Sequence, residues 1–455
     1  MNDERPFERL ATHTGPAEVD EAFGDRLYAV MRREMDRPQP SMGRILLLAA
    51  ALLALGSIAG AVVVGSGVVD PPWLNRLPIS SASTAASAPA EPTSAPTPPL
   101  TRGPWSATSM ITPESVLGTA TLLRDGTVLV AGGTDGHPGG AGPMAAAELF
   151  DPVSRTWVAT GSMLVGRANQ TATLLSNGMV LVVGGSSTDG REIGLGSAEL
   201  YDPITGTWAA TGDMTQARSA HAATLLSDGR VLVAGGFESA GLAGGYDRLR
   251  SAEIYDPVTG TWTAVADMAE ARDGHTATLL HDGRVLVAGG SGASAELYDP
   301  VTETWAATGD MTEPYYGHTA TLLLDGTVLV AGGDAPRPPG ARAWPHAELY
   351  DPVSETWVAV ASMITPRLEP AATLLLDGRV LLSGGRLHGG ADSALLQAAE
   401  VFDPVTGRWA AIEDMIQARS GHAATLLPDG RVLVVGGAAD LEASAELYDP
   451  ATATR

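Results

Sequence analysis

One unit, complete between His221 and Met268, is written seven times along a chain of 455 residues, and that repetition limits the possible folds more than any other feature. It reads HAATLLSDGRVLVAGG, a variable loop, then AEIYDPVTGTWTAVADM. A single such unit cannot bury its apolar face alone, so successive copies must stack on one another. The repeats fill most of the chain and replace the several domains its length would otherwise imply with one large folded unit.

The double glycines begin at Gly132, Gly184, Gly235, Gly289, Gly332, Gly384 and Gly436, giving periods of 52, 51, 54, 43, 52 and 52 residues. Helical and leucine-rich repeats are shorter, so the spacing predicts propeller blades of four strands. ATLL and VLVAGG are strands A and B, joined by Asp-Gly or Asn177-Gly178, a pair that predicts a two-residue type I′ hairpin turn. AELYDP is strand C, ended by a proline that cannot donate to the ladder, and the segment around Thr-Trp is strand D. The last copy stops at Tyr448-Asp449-Pro450 without a Trp, while an orphan Trp105 lies 52 residues before Trp157. The N-terminal segment is therefore expected to supply strand D of the last blade and close a seven-bladed, all-β ring.

These motifs resemble the kelch repeat family, whose blades carry a double glycine after the second strand, a Tyr in the third and a Trp soon after. The matching pairs are Tyr201 and Trp208, Tyr255 and Trp262, Tyr298 and Trp305, and Tyr350 and Trp357, with Phe150 and Phe402 before Trp157 and Trp409. The resemblance implies that strand A is innermost, that B-C and D-A loops share one face, and that the propeller binds a partner there. It also allows a carbohydrate-acting enzyme, an oxidase or sugar epimerase, as the alternative, and a surface spacer as a third reading. Galactose oxidase, of this architecture, needs copper held partly by a Tyr crosslinked to a Cys. This chain has no Cys, so that cofactor cannot form and none is expected.

Ahead of the repeats, Glu18 to Asp36 reads as a short charged helix within a segment 1–44. Residues 45–69 carry no charge. At ~1.5 Å per residue such a helix exceeds the ~30 Å hydrocarbon core and is expected to span a membrane. Its rival is a cleaved signal peptide, for which Ala59-Gly60-Ala61 would be the processing site. Arg26, Arg32, Arg33, Arg37 and Arg44 precede the span and only Arg76 follows closely, so the N-terminus is expected in the cytoplasm and residues 101–455 outside it. Residues 70–100, rich in Ser, Ala, Pro and Thr, are a linker. A formal charge of −24 argues against a nucleic-acid surface. The propeller is expected to be a monomer.

His221, His275, His318 and His422, with Gln170 in the second copy, share one repeat position before strand A. Four His invite a metal reading, but ligands must converge to ~2.0–2.1 Å of zinc, and residues on separate blades are too far apart. They are expected to bond backbone near the channel mouth. Strand C repeats Glu148, Glu199, Glu253, Glu296, Glu348, Glu400 and Glu446, for which Arg167, Arg218, Arg272 and Arg419 are the expected structural partners.

The differences between copies are more informative for function, because repeat-specific insertions often mark a binding face. The B-C loops have 13, 12, 15, 4, 13, 13 and 7 residues, leaving the fourth blade a notch between tall neighbours. The third loop carries Tyr246, Arg248 and Arg250; the fifth Arg337, Arg342, Trp344 and His346; the sixth Arg386 and His388. Tyr315 and Tyr316 interrupt the usual pattern before the fifth strand A. Aromatic faces suit sugar rings or protein anchors, and Arg suits carboxylates, so a protein or an acidic glycan is the expected ligand. No metal ligand set or catalytic triad is legible.

Overall fold

The computed structural model describes residues 101–108, 118–134, 142–187, 194–239, 245–334, 343–387, 394–437 and 445–453. The segment 1–44, the span 45–69 and the linker 70–100 lie outside the described residues. Seven antiparallel sheets, the blades, follow in chain order, with strands A beginning at Thr119, Thr171, Ala222, Thr276, Thr319, Ala371 and Ala423. In the third blade, A is Ala222–Leu225, B Val231–Ala234, C Ala252–Asp256 and D Thr261–Ala264. Each A strand neighbours the A strands of the blades on either side, and the seventh meets the first, so the ring is closed.

Packing explains the sequence of each strand. Every strand B is buried along its whole length, because blades cover both of its faces, and a continuous apolar run such as VLVA satisfies that environment. Strand D lies at the outer edge and turns only its Trp inward. The Trp stacks on the strand C aromatic at 4.9–5.1 Å between ring centroids, as in Tyr255 and Trp262 or Phe402 and Trp409. Except at Trp409, its indole N–H also reaches the preceding blade: Trp262 donates to Gly212 O at 2.7 Å and Trp357 to Gly309 O at 2.7 Å.

The seventh blade is composite, as expected from the orphan Trp. Trp105–Thr108 pairs with Ala445–Tyr448, setting Trp105 opposite Tyr448, and a short outer strand, Thr101–Arg102, is added beyond it. Trp105 is 1% exposed, stacks on Tyr448 at 4.9 Å and donates to Glu413 O at 2.8 Å. Across the closure, Trp157 of the first blade donates to Thr108 Oγ1 at 3.1 Å.

The A-B turns differ from the expected type I′. Leu123 O accepts from Gly126 N at 3.1 Å and Leu123 N donates to Thr127 O at 2.8 Å, and of Asp125 and Gly126 only the glycine has positive φ. This is a type I turn followed by a left-handed glycine bulge. Asp125 keeps an ordinary φ because its carboxylate accepts the Thr127 N–H at 3.0 Å, bracing the turn from the side chain.

Candidate functional site

The repeated polar residues form a structural clasp. Arg167, Arg218, Arg272, Arg367 and Arg419, all fully buried, meet Glu199, Glu253, Glu296, Glu400 and Glu446 at 2.5–3.0 Å. Each also donates to the carbonyl of the first glycine of its own blade's pair, as Arg272 does to Gly289 O at 2.9 Å. Buried charge is tolerated because each guanidinium is paired with a carboxylate and hydrogen-bonded to a carbonyl through its terminal nitrogens, although Nε of Arg167 and of Arg218 has no hydrogen-bond partner among the described residues.

The histidines explain the double glycine. A Cβ on Gly184, Gly235, Gly289 or Gly384 would lie 2.6–2.8 Å from Cε1 of the His in the next blade: His221, His275, His318 and His422 respectively. The second glycine makes room for the His of its own blade, since a Cβ on Gly236 would sit 2.9 Å from His221 Cβ. The rings are thus wedged into the seams between blades. His221 and His318 bond the hydroxyls of Thr171 and Thr276 at 2.9 and 3.0 Å, and His422 bonds Ser383 at 2.9 Å, rather than the backbone expected of them. Gln170, in the same position, does bond backbone, at Ala131 O. Burial, reinforced by neighbouring arginines, pushes His275 and His422 down to about 3, and burial alone takes His318 to about 4. Among the described residues no three His, Asp or Glu converge as a metal site.

One channel mouth is built from the D-A turns. Ala220, Gly274, Gly317, Glu369 and Gly421 each donate their backbone N–H to the equivalent carbonyl one blade back, starting from Asn169, at 2.9–3.5 Å. All six residues have φ between 49° and 63°. They form a belt of hydrogen bonds around the mouth, and Ala220 and Glu369 accept left-handed backbone to join it. Bridges Ser219 to Phe237, Tyr316 to Asp334 and Leu368 to Arg386 tie D-A turns to the roots of the B-C loops, so both loop sets share one face.

The expected site residues separate into groups on this face. In the third blade the loop folds into a hairpin of Phe237–Ser239 and Tyr246–Arg248, which the sequence did not reveal. Tyr246 is 55% exposed and packs on Phe237 at 5.0 Å. Arg248 Nε lies 2.5 Å from Asp273 Oδ1, and the Tyr316 hydroxyl donates to Asp273 Oδ2 at 3.4 Å. Asp273 is buried, and desolvation raises its pKa against the pull of Arg248. Arg386 Nη2 meets Glu369 Oε1 at 2.6 Å, and Ser420 Oγ donates to Glu369 Oε2 at 3.3 Å. Asp273 and Glu369 were missed in the sequence, although each can be found by aligning the D-A turns.

The other expected residues have partners of their own. Arg250 pairs with Asp267 at 3.3 Å. Trp344 is half-buried, set edge-on to Tyr315 at 6.5 Å and to the exposed His346 at 5.4 Å. Tyr315 must be removed from the ligand-facing set: it is 1% exposed and donates to Glu348 Oε1 at 2.9 Å. It occupies the place that Arg272 holds in the fourth blade, so YYGH is RDGH with the structural Arg replaced. Arg337, Arg342 and His388 lie outside the described residues.

A ring of seven blades, with interlocking His and Arg clasps and loops gathered on one face, defines a repeat β-propeller. The comparisons agree: the family model for the kelch motif matches residues 218–269, within the third of the seven repeats. It is similar to human Kelch-like protein 23, with 23% identity over 311 residues, covering 65% of this chain and 50% of that protein. Mouse Kelch-like protein 35 is 27% identical over 296 residues, covering 65% of this chain and 47% of that one. The chain thus spans about half the length of the curated relatives it matches. Among solved structures it resembles a fungal alcohol oxidase of the AA5 family in complex with copper, with a TM-score of 0.61, 18% identity and 76% of each chain covered. That likeness is one of fold.

Proposed function

We propose that this propeller is a binding module for a protein or glycan, docked on the face shared by the B-C loops and D-A turns. The observation that carries the reading is where the repeats depart from their own pattern. Four of the six described D-A turns carry Arg followed three residues later by His or Gln, whereas the fifth blade reads YYGH and the sixth RLEP. Those departures sit beside Trp344, Arg386 and the tall loops, and local rules are broken where function requires it. The kelch-like relatives support a protein partner. We further propose that residues 45–69 anchor the propeller outside the cytoplasm.

Two measurements test this. Protease added to intact cells expressing the full chain should degrade the propeller and spare the N-terminal segment; protection of the propeller would sink the location. Cross-linking in those cells should yield a partner adduct that Trp344→Ala reduces without changing the melting temperature. Loss of stability in that variant would instead make Trp344 a packing residue for Tyr315.

A further inference from the structure

Within the binding face, one arc has a chemistry of its own. Arg248 is 35% exposed at its side chain and backed by Asp273; Arg386, 28% exposed, is backed by Glu369, itself 31% exposed. Between them stands the half-buried Tyr316, whose following residue, Gly317, accepts the Glu369 backbone N–H at 2.9 Å. Tyr246 and Glu369 both lie within electrostatic reach of the Tyr316 hydroxyl, which burial and Asp273 push well above the ordinary phenol range and so keep as a donor.

We infer that this arc is a subsite for an uncharged, hydroxyl-rich ring, the neutral hexose unit of a glycan; this rests on the binding role proposed above and replaces the acidic ligand expected from the arginines alone. An anion drawn to Arg248 or Arg386 meets the carboxylate that already neutralises it. A cation drawn to Glu369 meets Arg386 at the same oxygen. A ligand of either sign must break a pair that is already formed, and a net charge of −24 gives an anion no long-range attraction. A sugar ring carries donors and acceptors together. Its hydroxyls can accept from the remaining guanidinium N–H groups and donate to the free lone pairs of Glu369. Its apolar face matches the exposed Tyr246 ring. Asp273, being buried, acts as a positioning residue that orients Arg248 and Tyr316.

The test is titration calorimetry on the full chain in a non-glycosidic detergent. The probes are linear gluco-, manno- and galacto-oligosaccharides, the corresponding uronic-acid oligomers and a Glu-rich peptide. One neutral oligomer should bind with an affinity nearly independent of salt, and its uronic-acid counterpart about tenfold more weakly. Tyr246→Ala and Arg386→Gln should each weaken binding about tenfold, the first with unchanged melting because the side chain is exposed. Asp273→Ala should lose binding, while Asp273→Asn, which keeps an acceptor oxygen for one neighbour and sets an amide N–H against the other, should restore it only in part. Preference for the uronic acid or the Glu-rich peptide, or no oligosaccharide bound, would overturn the subsite. If substitutions on the face still abolish cross-linking to a protein partner, the binding role survives and only the sugar assignment falls.

Discussion

The seam between the third and fourth blades and the seam between the fifth and sixth are built from the same repeat and held differently. In the first, His275 fills the space over Gly235, Arg272 pairs with Glu296 inside the fourth blade, and Arg230 reaches across to Glu303 at 2.8 Å on the opposite face. In the second, Pro370 replaces the His and Thr327 replaces the strut Arg, bonding its own turn at Asp325, while Arg367 keeps its pair with Glu400 inside the sixth blade. The loops take over instead: Ala343 N donates to Leu387 O at 3.0 Å, joining the fifth and sixth B-C loops, and Glu369 joins the belt from a left-handed backbone. Structural residues have been released where the loops reach over the mouth, and the belt holds the seam that side chains no longer lock.

The strongest perturbation asks whether either seam matters once the ring is open. Deleting residues 101–108 removes the Trp105 stack and bares a strand edge, and it should lower the melting temperature more than any single substitution within a seam. Unchanged melting would show that the seams alone hold the ring. Next in size, Arg272→Met strands Glu296 without its cation and should cost about 3–5 kcal/mol in urea unfolding. Tyr315→Phe, at the equivalent place, should cost only about 1 kcal/mol, because Glu348 keeps the N–H and hydroxyl of Thr312. Equal costs would show that Tyr315 clasps the fifth blade as firmly as Arg272 clasps the fourth.

Acid should separate them further. Imidazoles held neutral in the fold are protonated in the unfolded chain below about pH 6.5, so the stabilisation is complete above that pH. It falls on acidification, by up to about 1.4 kcal/mol per pH unit for each His, until the folded values are reached. Those are about 3 for His275 and His422 and about 4 for His318. His275→Gln, which copies Gln170, should flatten the stability profile between pH 6 and pH 4 by one His's share; an unaltered slope would assign acid sensitivity to other groups. The smallest effect expected is a difference between two glycines. Both Gly235→Ala and Gly332→Ala incur a left-handed penalty of about 1–2 kcal/mol. Gly235→Ala should be the worse, because its Cβ meets His275 Cε1 at 2.6 Å, whereas that of Gly332 meets Pro370 Cγ at 3.1 Å.

Much of this architecture was legible before any coordinates. The period predicts seven blades, the unpaired Trp105 predicts the composite blade, and Glu in every strand C predicts a buried Arg. What stayed hidden is instructive. Two adjacent tyrosines are chemically alike, and only their register against Arg272 and Asp273 shows that Tyr315 is core and Tyr316 is mouth. Asp273 stands out once the D-A turns are aligned, but its pairing with Arg248 shows only when the hairpin brings the two together, because that contact joins residues from different loops. The reason for the first glycine of each pair also lies outside the repeat that contains it: the side chain that would collide belongs to the next blade.

A closed ring has no natural first blade, and the composite blade makes that freedom usable. The two ends of the described propeller already touch, with Asp449 N donating to Pro104 O at 2.9 Å. Joining them by a short linker and cutting the chain within Ser291–Ser294 would make the seventh blade continuous and the fourth composite, with every strand pairing kept. Such a circular permutant should fold to the same ring, and it would move the polypeptide's entry point beside the notch, carrying whatever is fused there directly to the binding face.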